Sequence, residues 1–289
     1  MMSINLKGGL GNQLFQIFSL IGISVKNDYK YLIDREYKDN RKTYWDNILS
    51  DVPNCNDKNL ELSNSNNGEI FVLNENRATQ YMDITIDKTQ MPNVLLNGYF
   101  QSFYYFENIR EKVFNMILNN QKSHILNKVN ELYNNFKQKF KNKKLPFIHR
   151  RSGDYNDPIH KGYYKVLPMS YYKEALSHFD NNEWAYIIFS DEQINTIAEF
   201  DFLKHKEFVL EDDYIELLLM SKMDGAIIAN STFSAWGAYL MDFYRCKKIV
   251  CPKYWFHEWD IHRFDCMEKH WIFIENIEMF KNVSVDPRR

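Results

Sequence analysis

The side chains best suited to chemistry stand together in His149-Arg150-Arg151-Ser152-Gly153-Asp154-Tyr155, directly after an apolar run at 145–148. Two guanidiniums beside an imidazole and a carboxylate suit an anionic group, because a planar guanidinium holds two phosphate oxygens at once and stays charged at physiological pH. Gly153 lets backbone approach such a ligand closely. A second group, Asn230-Ser231-Thr232-Phe233-Ser234, follows the apolar Ile227-Ile228-Ala229. It sets three hydroxyls and an amide at the start of a predicted helix, where outward N–H groups and the helix dipole favour negative charge. A third, Ser190-Asp191-Glu192, ends the run Ile187-Ile188-Phe189. There Ser190 can cap a helix, and Asp191 can either cap or accept hydrogen bonds from a ribose or a base.

Near the amino end, Gly8-Gly9-Leu10-Gly11-Asn12-Gln13 gives a ligand backbone room and offers two amides at a helix start. A tight packing turn explains the same glycines. Their spacing fails Gly-x-Gly-x-x-Gly, and no lysine with a hydroxyl residue follows, so neither common phosphate loop is present. Glu211-Asp212-Asp213 reads as helix caps rather than metal ligands. The aromatics of Phe103, Tyr104, Phe106 and Phe114 can stack on a sugar, but their helical spacing is that of a core.

These residues need strands to hold them. A strand at 4–7, the glycine turn and a helix carrying Leu14, Ile17, Phe18 and Ile21 open an α/β unit. Further strands are expected at 29–34, 70–73 and 94–97, with an aromatic-rich helix from Gly98-Tyr99-Phe100-Gln101-Ser102 through Leu118 and polar loops between 35 and 68. An amphipathic helix over 123–142 ends in a basic run at 137–144, which reads as a solvated connection. From 145 onward strands (145–148, 184–189, 207–210, 225–229, 248–251) alternate with helices (170–179, 191–203, 213–223, 231–244), the pattern of a doubly wound parallel sheet in Rossmann-like order. Cys251-Pro252-Lys253-Tyr254-Trp255-Phe256-His257 is expected to close that sheet. The expected organisation is an N-terminal α/β domain at 1–120, a connecting helix at 121–144, and a C-terminal Rossmann-like domain at 145–289.

Composition narrows the function. With 36 Lys and Arg against 38 Asp and Glu, the net charge of −2 argues against a general nucleic-acid binder, so any phosphate must be met by local arginines. The widely spaced Cys55, Cys246, Cys251 and Cys266 form no Cys-x-x-Cys and signal neither zinc nor a disulfide framework. No signal peptide and no apolar run long enough for a membrane span is seen, so a cytoplasmic location is expected.

Taken together, the motifs resemble the α-1,2-fucosyltransferases of glycosyltransferase family 11. Gly8 to Gln16 looks like the family's opening motif, Gly98-Tyr99-Phe100-Gln101-Ser102 with Tyr105-Phe106 like its middle signature, His149-x-Arg151-x-Gly153-Asp154-Tyr155 like its defining one, and Asn230 to Trp236 like a fourth, all in the family's order. Ser152 stands where the family usually has a second arginine, and Ala235 where it often has tryptophan. The resemblance implies a GT-B-type fold of two Rossmann-like domains facing a cleft, a GDP-β-L-fucose donor, no cofactor or obligatory metal, and inverting transfer to a galactoside 2-hydroxyl. It implies Arg151 on the β-phosphate, His149 positioning phosphate or sugar, and Asn230, Ser231, Thr232, Phe233 and Ser234 around the diphosphate. Asp191 would read ribose or guanine, while Gly11, Asn12 and Gln13 would reach the donor from the N-terminal domain. Asp154 would act as base, contact the acceptor hydroxyl, or hold the Arg151 loop. The alternatives are another GDP-sugar or protein O-fucosyltransferase and a catalytically silent glycan-binding module; a nicotinamide oxidoreductase ranks below both because the glycine spacing is wrong.

Overall fold

The structure, a computed structural model, describes residues 1–35, 41–55, 69–76, 80–156, 166–179, 182–255 and 265–276, leaving aside the side chains of Asp154 and Gln193. The chain forms two compact units. One comprises Met1–Asn127 with Arg263–Glu268, the other Lys128–His262 with Lys269–Arg289. The division in sequence falls inside helix α3 (Ser123–Lys139), and the short stretch at 263–268 returns to the first unit.

The first unit is built on a parallel sheet of β1 (Met2–Ile4), β2 (Tyr31–Ile33), β3 (Ile70–Asn74) and β4 (Asn93–Asn97), in the order β2-β1-β4-β3. Helix α1 (Leu10–Lys26) links β1 to β2. β1 sits earlier than the expected 4–7. It pairs with β2 through Met2–Tyr31 to Ile4–Ile33 and with β4 through Met2–Val94 to Ile4–Leu96, and both ladders stop at Ile4. Beyond it the Lys7 N–H donates instead to Gln16 Oε1 at 2.9 Å. The single aromatic helix expected after β4 is three pieces: a 3-10 segment Phe103–Ile109, helix α2 (Arg110–Phe114) and a π-helical turn Asn115–Asn119. Aromatic packing against α1 overrides the helical period here. Phe103 and Phe106 lie 5.0 and 6.2 Å from the Phe15 ring, and Phe106 takes a non-helical φ/ψ of −131°/20°. A Cβ on Gly22 would stand 2.2 Å from the Tyr105 carbonyl oxygen, so glycine in α1 is what permits this approach.

The second unit carries six parallel strands, β5 (Pro146–Arg150), β6 (Tyr186–Ser190), β7 (Lys206–Val209), β8 (Gly225–Ile227), β9 (Lys248–Pro252) and β10 (Ile272–Ile274), in the order β10-β9-β8-β5-β6-β7. This is the Rossmann order. β6 and β7 are added to one side of β5, and the chain then crosses to add β8, β9 and β10 on the other. Helices α4 (Met169–Leu176), α5 (Gln193–Glu199), α6 (Asp213–Met220) and α7 (Thr232–Met241) make the connections. All five residues of β5 are buried, as expected for a central strand covered on both faces; Ile148, Ile188, Ile227 and Val250 share one core with Tyr171, Tyr172 and Phe179 from around α4. The sequence after Cys251 does not close the sheet, because β10 adds beyond β9 with Ile272 opposite Val250 and Ile274 opposite Pro252. Among the described residues no helix is long and apolar enough to cross a membrane.

A half-buried acid and a buried one set a pH dependence of stability. Burial pushes the Glu75 carboxyl up to about 7 and that of Glu216, in the first turn of α6, up to about 8, each from an ordinary 4.5. The folded chain therefore keeps protons that the unfolded chain releases, and stability falls as pH rises toward those values. Buried His149 acts oppositely below its ordinary 6.5, since the folded state refuses a proton that the unfolded chain takes up. Between pH 6.5 and 8 the acids act alone of these three. Denaturant titrations at those two values should give a lower unfolding free energy at the higher pH, and Glu216→Gln should remove most of the difference.

Candidate active site

In the second unit the order of strands reverses between β5 and β8, and ligands of open α/β sheets bind beyond the carboxyl ends at such a point. β5 delivers His149 and Arg150 there, and Arg151 follows it. Neighbouring side chains along a strand alternate between faces, and the two arginines have separate fates. Arg150 is 5% exposed. Its Nε and Nη2 donate to Glu199 of α5, each at 2.7 Å, its Nη1 donates to the Leu167 carbonyl at 2.5 Å, and its guanidinium lies 5.3 Å from the Tyr172 ring centre. Arg150 is thus spent on packing α4 and α5 to the sheet. The Arg151 side chain keeps 27% of its surface exposed, pairs with Asp191 at 3.0 Å and lies 5.4 Å over the Tyr155 ring.

Asp191 organises this loop. Its Oδ1 accepts the Ser152 N–H at 2.9 Å and its Oδ2 the Gly153 N–H at 3.1 Å, in addition to the Arg151 pair. A Cβ on Gly153 would stand 2.7 Å from that Oδ2, which is why glycine occupies the position. The carboxylate expected on a ribose or base therefore clamps the arginine loop in this structure. Nor do Ser190 or Asp191 cap α5: Glu192 is the N-cap and accepts the Asn195 N–H, while the Ser190 hydroxyl meets Thr196 Oγ1 at 2.9 Å.

Two contacts join the arginine loop to the start of α7. The Tyr155 hydroxyl donates to the Asn230 carbonyl at 2.7 Å, and the His149 ring lies 5.5 Å from that of Phe233. Desolvation, with Arg151 adding to it, holds the His149 imidazole well below its ordinary pKa despite the opposing pull of Asp191. It is neutral at physiological pH, and its Nδ1 is buried with no protein partner. Ser231 is the N-cap of α7 and makes no capping hydrogen bond with its side chain. Thr232 opens the helix. Two of the expected cup residues turn inward: the Asn230 amide donates to the Trp255 carbonyl at 3.0 Å, and the Ser234 hydroxyl turns back to the carbonyls of Ala229 and Ser231. Of the expected cup, Ser231 and Thr232 remain at the helix start. The Asp154 side chain lies outside the described residues, although its backbone opens the 3-10 turn Asp154–Asn156.

In the first unit, the glycine motif and the Gly98 motif meet at the carboxyl ends of adjacent strands β1 and β4. Gln101 Nε2 donates to Asn12 Oδ1 at 2.9 Å, and Gln16 Nε2 to the Gly98 carbonyl at 3.1 Å. Gln13 ties the turn down through the carbonyls of Gly8 and Lys42, at 2.9 and 2.8 Å. Gly11 is buried in the first turn of α1. Gly8 has φ +77°, and a Cβ there would lie 2.4 Å from Asn12 Nδ2. Glu75, just past β3, accepts the Tyr99 N–H at 2.7 Å, and Gly98 leaves it room. Glu75 and Glu199, and the partners of Gln16, Gln101 and Tyr155, escape a reading of the sequence, since these contacts span 24 to 89 residues. The usable signal was glycine: Gly98 and Gly153 each mark where a carboxylate from the neighbouring strand end comes close.

Residues 1–275 match the family model described as Glycosyl transferase family 11. The chain belongs to that family. It is 30% identical over 287 residues to the O-antigen biosynthesis glycosyltransferase WbnK of Escherichia coli, covering 87% of this chain and 93% of WbnK. It is 25% identical to an Escherichia coli alpha-1,2-colitosyltransferase, covering 93% and 97% of the two chains. The crystal structure of fucosyltransferase NodZ from Bradyrhizobium aligns with a TM-score of 0.50 at 13% identity, covering 82% of this chain and 92% of NodZ. That likeness concerns the fold, which is of the GT-B type. This family 11 chain is a glycosyltransferase, and the four motifs that carry the resemblance fall at strand ends: two in the first unit and two in the second.

Proposed function

We propose that this family 11 enzyme transfers L-fucose from GDP-β-L-fucose to the 2-hydroxyl of a terminal galactoside, with inversion and without a metal ion, as a step of glycan assembly. The observation that carries the reading is the approach of the Arg151 loop to the start of α7, through Tyr155–Asn230 and His149–Phe233. As the bond to the anomeric carbon breaks, negative charge builds on the diphosphate and the sugar ring becomes cation-like. Groups already fixed where that charge develops lower the barrier. Arg151 supplies a fixed cation, and a guanidinium with five N–H groups can serve Asp191 and a phosphate together. The first N–H groups of α7 with the hydroxyls of Ser231 and Thr232 supply neutral donors. His149, uncharged, positions. Asn12, held by Gln101, is the amide that the resemblance assigns to the donor. A transition state with a largely broken bond asks little of a base, and Asp154 is the candidate for what it does ask.

A second reading keeps the site and changes the sugar. One relative is named as an alpha-1,2-colitosyltransferase, and colitose is fucose without its 3-hydroxyl, so the diphosphate machinery serves either donor. Incubation with GDP-fucose and with GDP-colitose, each with lactose, N-acetyllactosamine and a type-1 chain, separates the two. GDP release that needs both GDP-fucose and a galactoside, is unchanged by EDTA and yields a 1,2 linkage is expected. Release with GDP-colitose alone selects the second reading, and no acceptor-dependent release with either donor removes both.

A further inference from the structure

At the opposite end of the second unit's sheet from Arg151, a cavity of about 560 Å³ opens between the end of α4 and the segments that lead into β6 and β7. Its apolar floor is made by Phe179, Trp184, Tyr186 and Leu203, and its cations are Lys173 and Lys204, with His205 beside them; no carboxylate is among its described lining residues. The end of the basic run at 137–144 joins this cluster. Lys143 Nζ donates to the Asn182 carbonyl at 3.0 Å, and Lys144 Nζ lies 5.0 Å over the Trp184 ring. On the far side of the floor Lys248 Nζ lies 5.7 Å over Phe179. Of the described acids, Glu183 and Asp201 face Lys144 and Lys206, each at 3.5 Å, and Glu207 pairs with Lys139. The lining carries lysines and no described carboxylate. Desolvation and then Lys143 and Lys204 hold the His205 imidazolium below its ordinary pKa, as crowded cations do.

Apolar side chains are exposed at this cavity and along the helix that leads to it. Phe202, a lining residue 54% exposed, stands with Lys173 Nζ 6.0 Å over its ring. The preceding helix α5 leaves Ile194 84% and Ile197 47% exposed, three residues apart and hence on one face. Exposed large apolar groups next to lysines, over an aromatic cavity, suit a ligand that is anionic at one end and apolar at the other. A free phosphate would find the cations but leave the floor and the isoleucines unused, and a neutral sugar would leave the lysines unused.

We propose that this cavity and the α5 face form a lipid-contact surface, in which Lys173, Lys204 and His205 hold the phosphate of an anionic lipid while Phe202, Ile197 and Ile194 enter the apolar layer of the leaflet. The enzyme then works at a membrane surface. The site is separate from the one that takes the donor and does not rest on which sugar is transferred.

The test is co-sedimentation of the full-length protein with vesicles of phosphatidylcholine alone and of phosphatidylcholine with phosphatidylglycerol. Binding to the anionic vesicles, weakened by salt, is expected, with at least a tenfold loss in Lys173→Glu/Lys204→Glu and in Phe202→Ser, and with GDP-fucose turnover on a soluble galactoside unchanged in both. Circular dichroism and the unfolding midpoint establish that the variants fold; if the charge reversal does not, Lys173→Gln/Lys204→Gln replaces it. Equal binding to neutral vesicles, equal binding by the variants, or no sedimentation with anionic vesicles overturns the proposal. So does a thermal shift with inorganic phosphate that is lost in Lys173→Glu/Lys204→Glu and unaccompanied by vesicle binding, which assigns the cations to free phosphate.

Discussion

Arg151→Ala is expected to lower glycosyl transfer by about a hundredfold to a thousandfold, the cost of removing one preorganised charge-stabilising donor, or roughly 3–4 kcal/mol. The unfolding midpoint should move by about 2 °C or less. The separation of the two effects follows from where the side chain sits. Arg151 leaves a central buried strand, yet its guanidinium is over a quarter exposed and pairs with Asp191, itself 22% exposed at the side chain. An ion pair so placed contributes little to folding. Its removal still leaves Asp191 accepting the N–H groups of Ser152 and Gly153, so the loop keeps its course. Arg151→Lys retains charge but not the two-pronged fork and should fall between wild type and alanine. Initial rates with donor and acceptor at saturation, beside the melting curve, are the measurement. Transfer within threefold of wild type in a folded Arg151→Ala would remove the phosphate assignment.

The same two arginines show what was legible in the sequence. The apolar run before His149 predicts a central strand, and strand alternation predicts that Arg150 and Arg151 part company; both hold because they depend only on neighbours in the chain. The resemblance singles out Arg151 for the phosphate, but what Arg150 does instead could not be read, because Glu199 lies 49 residues from it and the Leu167 carbonyl 17. Asp191 is instructive in the other direction. A carboxylate at a strand end suggested a ribose contact, but the adjacent strand puts the Ser152 and Gly153 N–H groups within its reach, and a backbone loop fills the place of a ligand. In the first unit Glu75 and the loop after Gly98 repeat this arrangement on the adjacent strands β3 and β4. In both units, then, a carboxylate at one strand end fixes the loop at the next. β10 escaped because three residues are too few to show a period, and its place is set by pairing with β9 alone.

Arg150→Ala should behave in the opposite way, losing stability before it loses chemistry. Removing one partner of a buried ion pair leaves the other charge without compensation and costs about 3–5 kcal/mol. Here the lower figure is expected, because the Arg150 side chain is 6% exposed but that of Glu199 is 29% exposed and can recover water. About 3 kcal/mol corresponds to a midpoint lowered by roughly 6–12 °C in a unit of this size. The Leu167 carbonyl also loses its donor, and the Tyr172 ring its cation. Below the new midpoint, transfer should stay within about tenfold of wild type, since Arg150 is turned to α5 and the sheet rather than to the start of α7. The double variant Arg150→Met/Glu199→Leu tests the cause: replacing both charges by apolar groups of similar volume is often neutral, so it should regain much of what Arg150→Ala loses. If Arg150→Ala instead kept its midpoint and lost transfer by a hundredfold, the diphosphate cation would be Arg150, and the two guanidiniums would have to exchange faces of β5 when the donor binds.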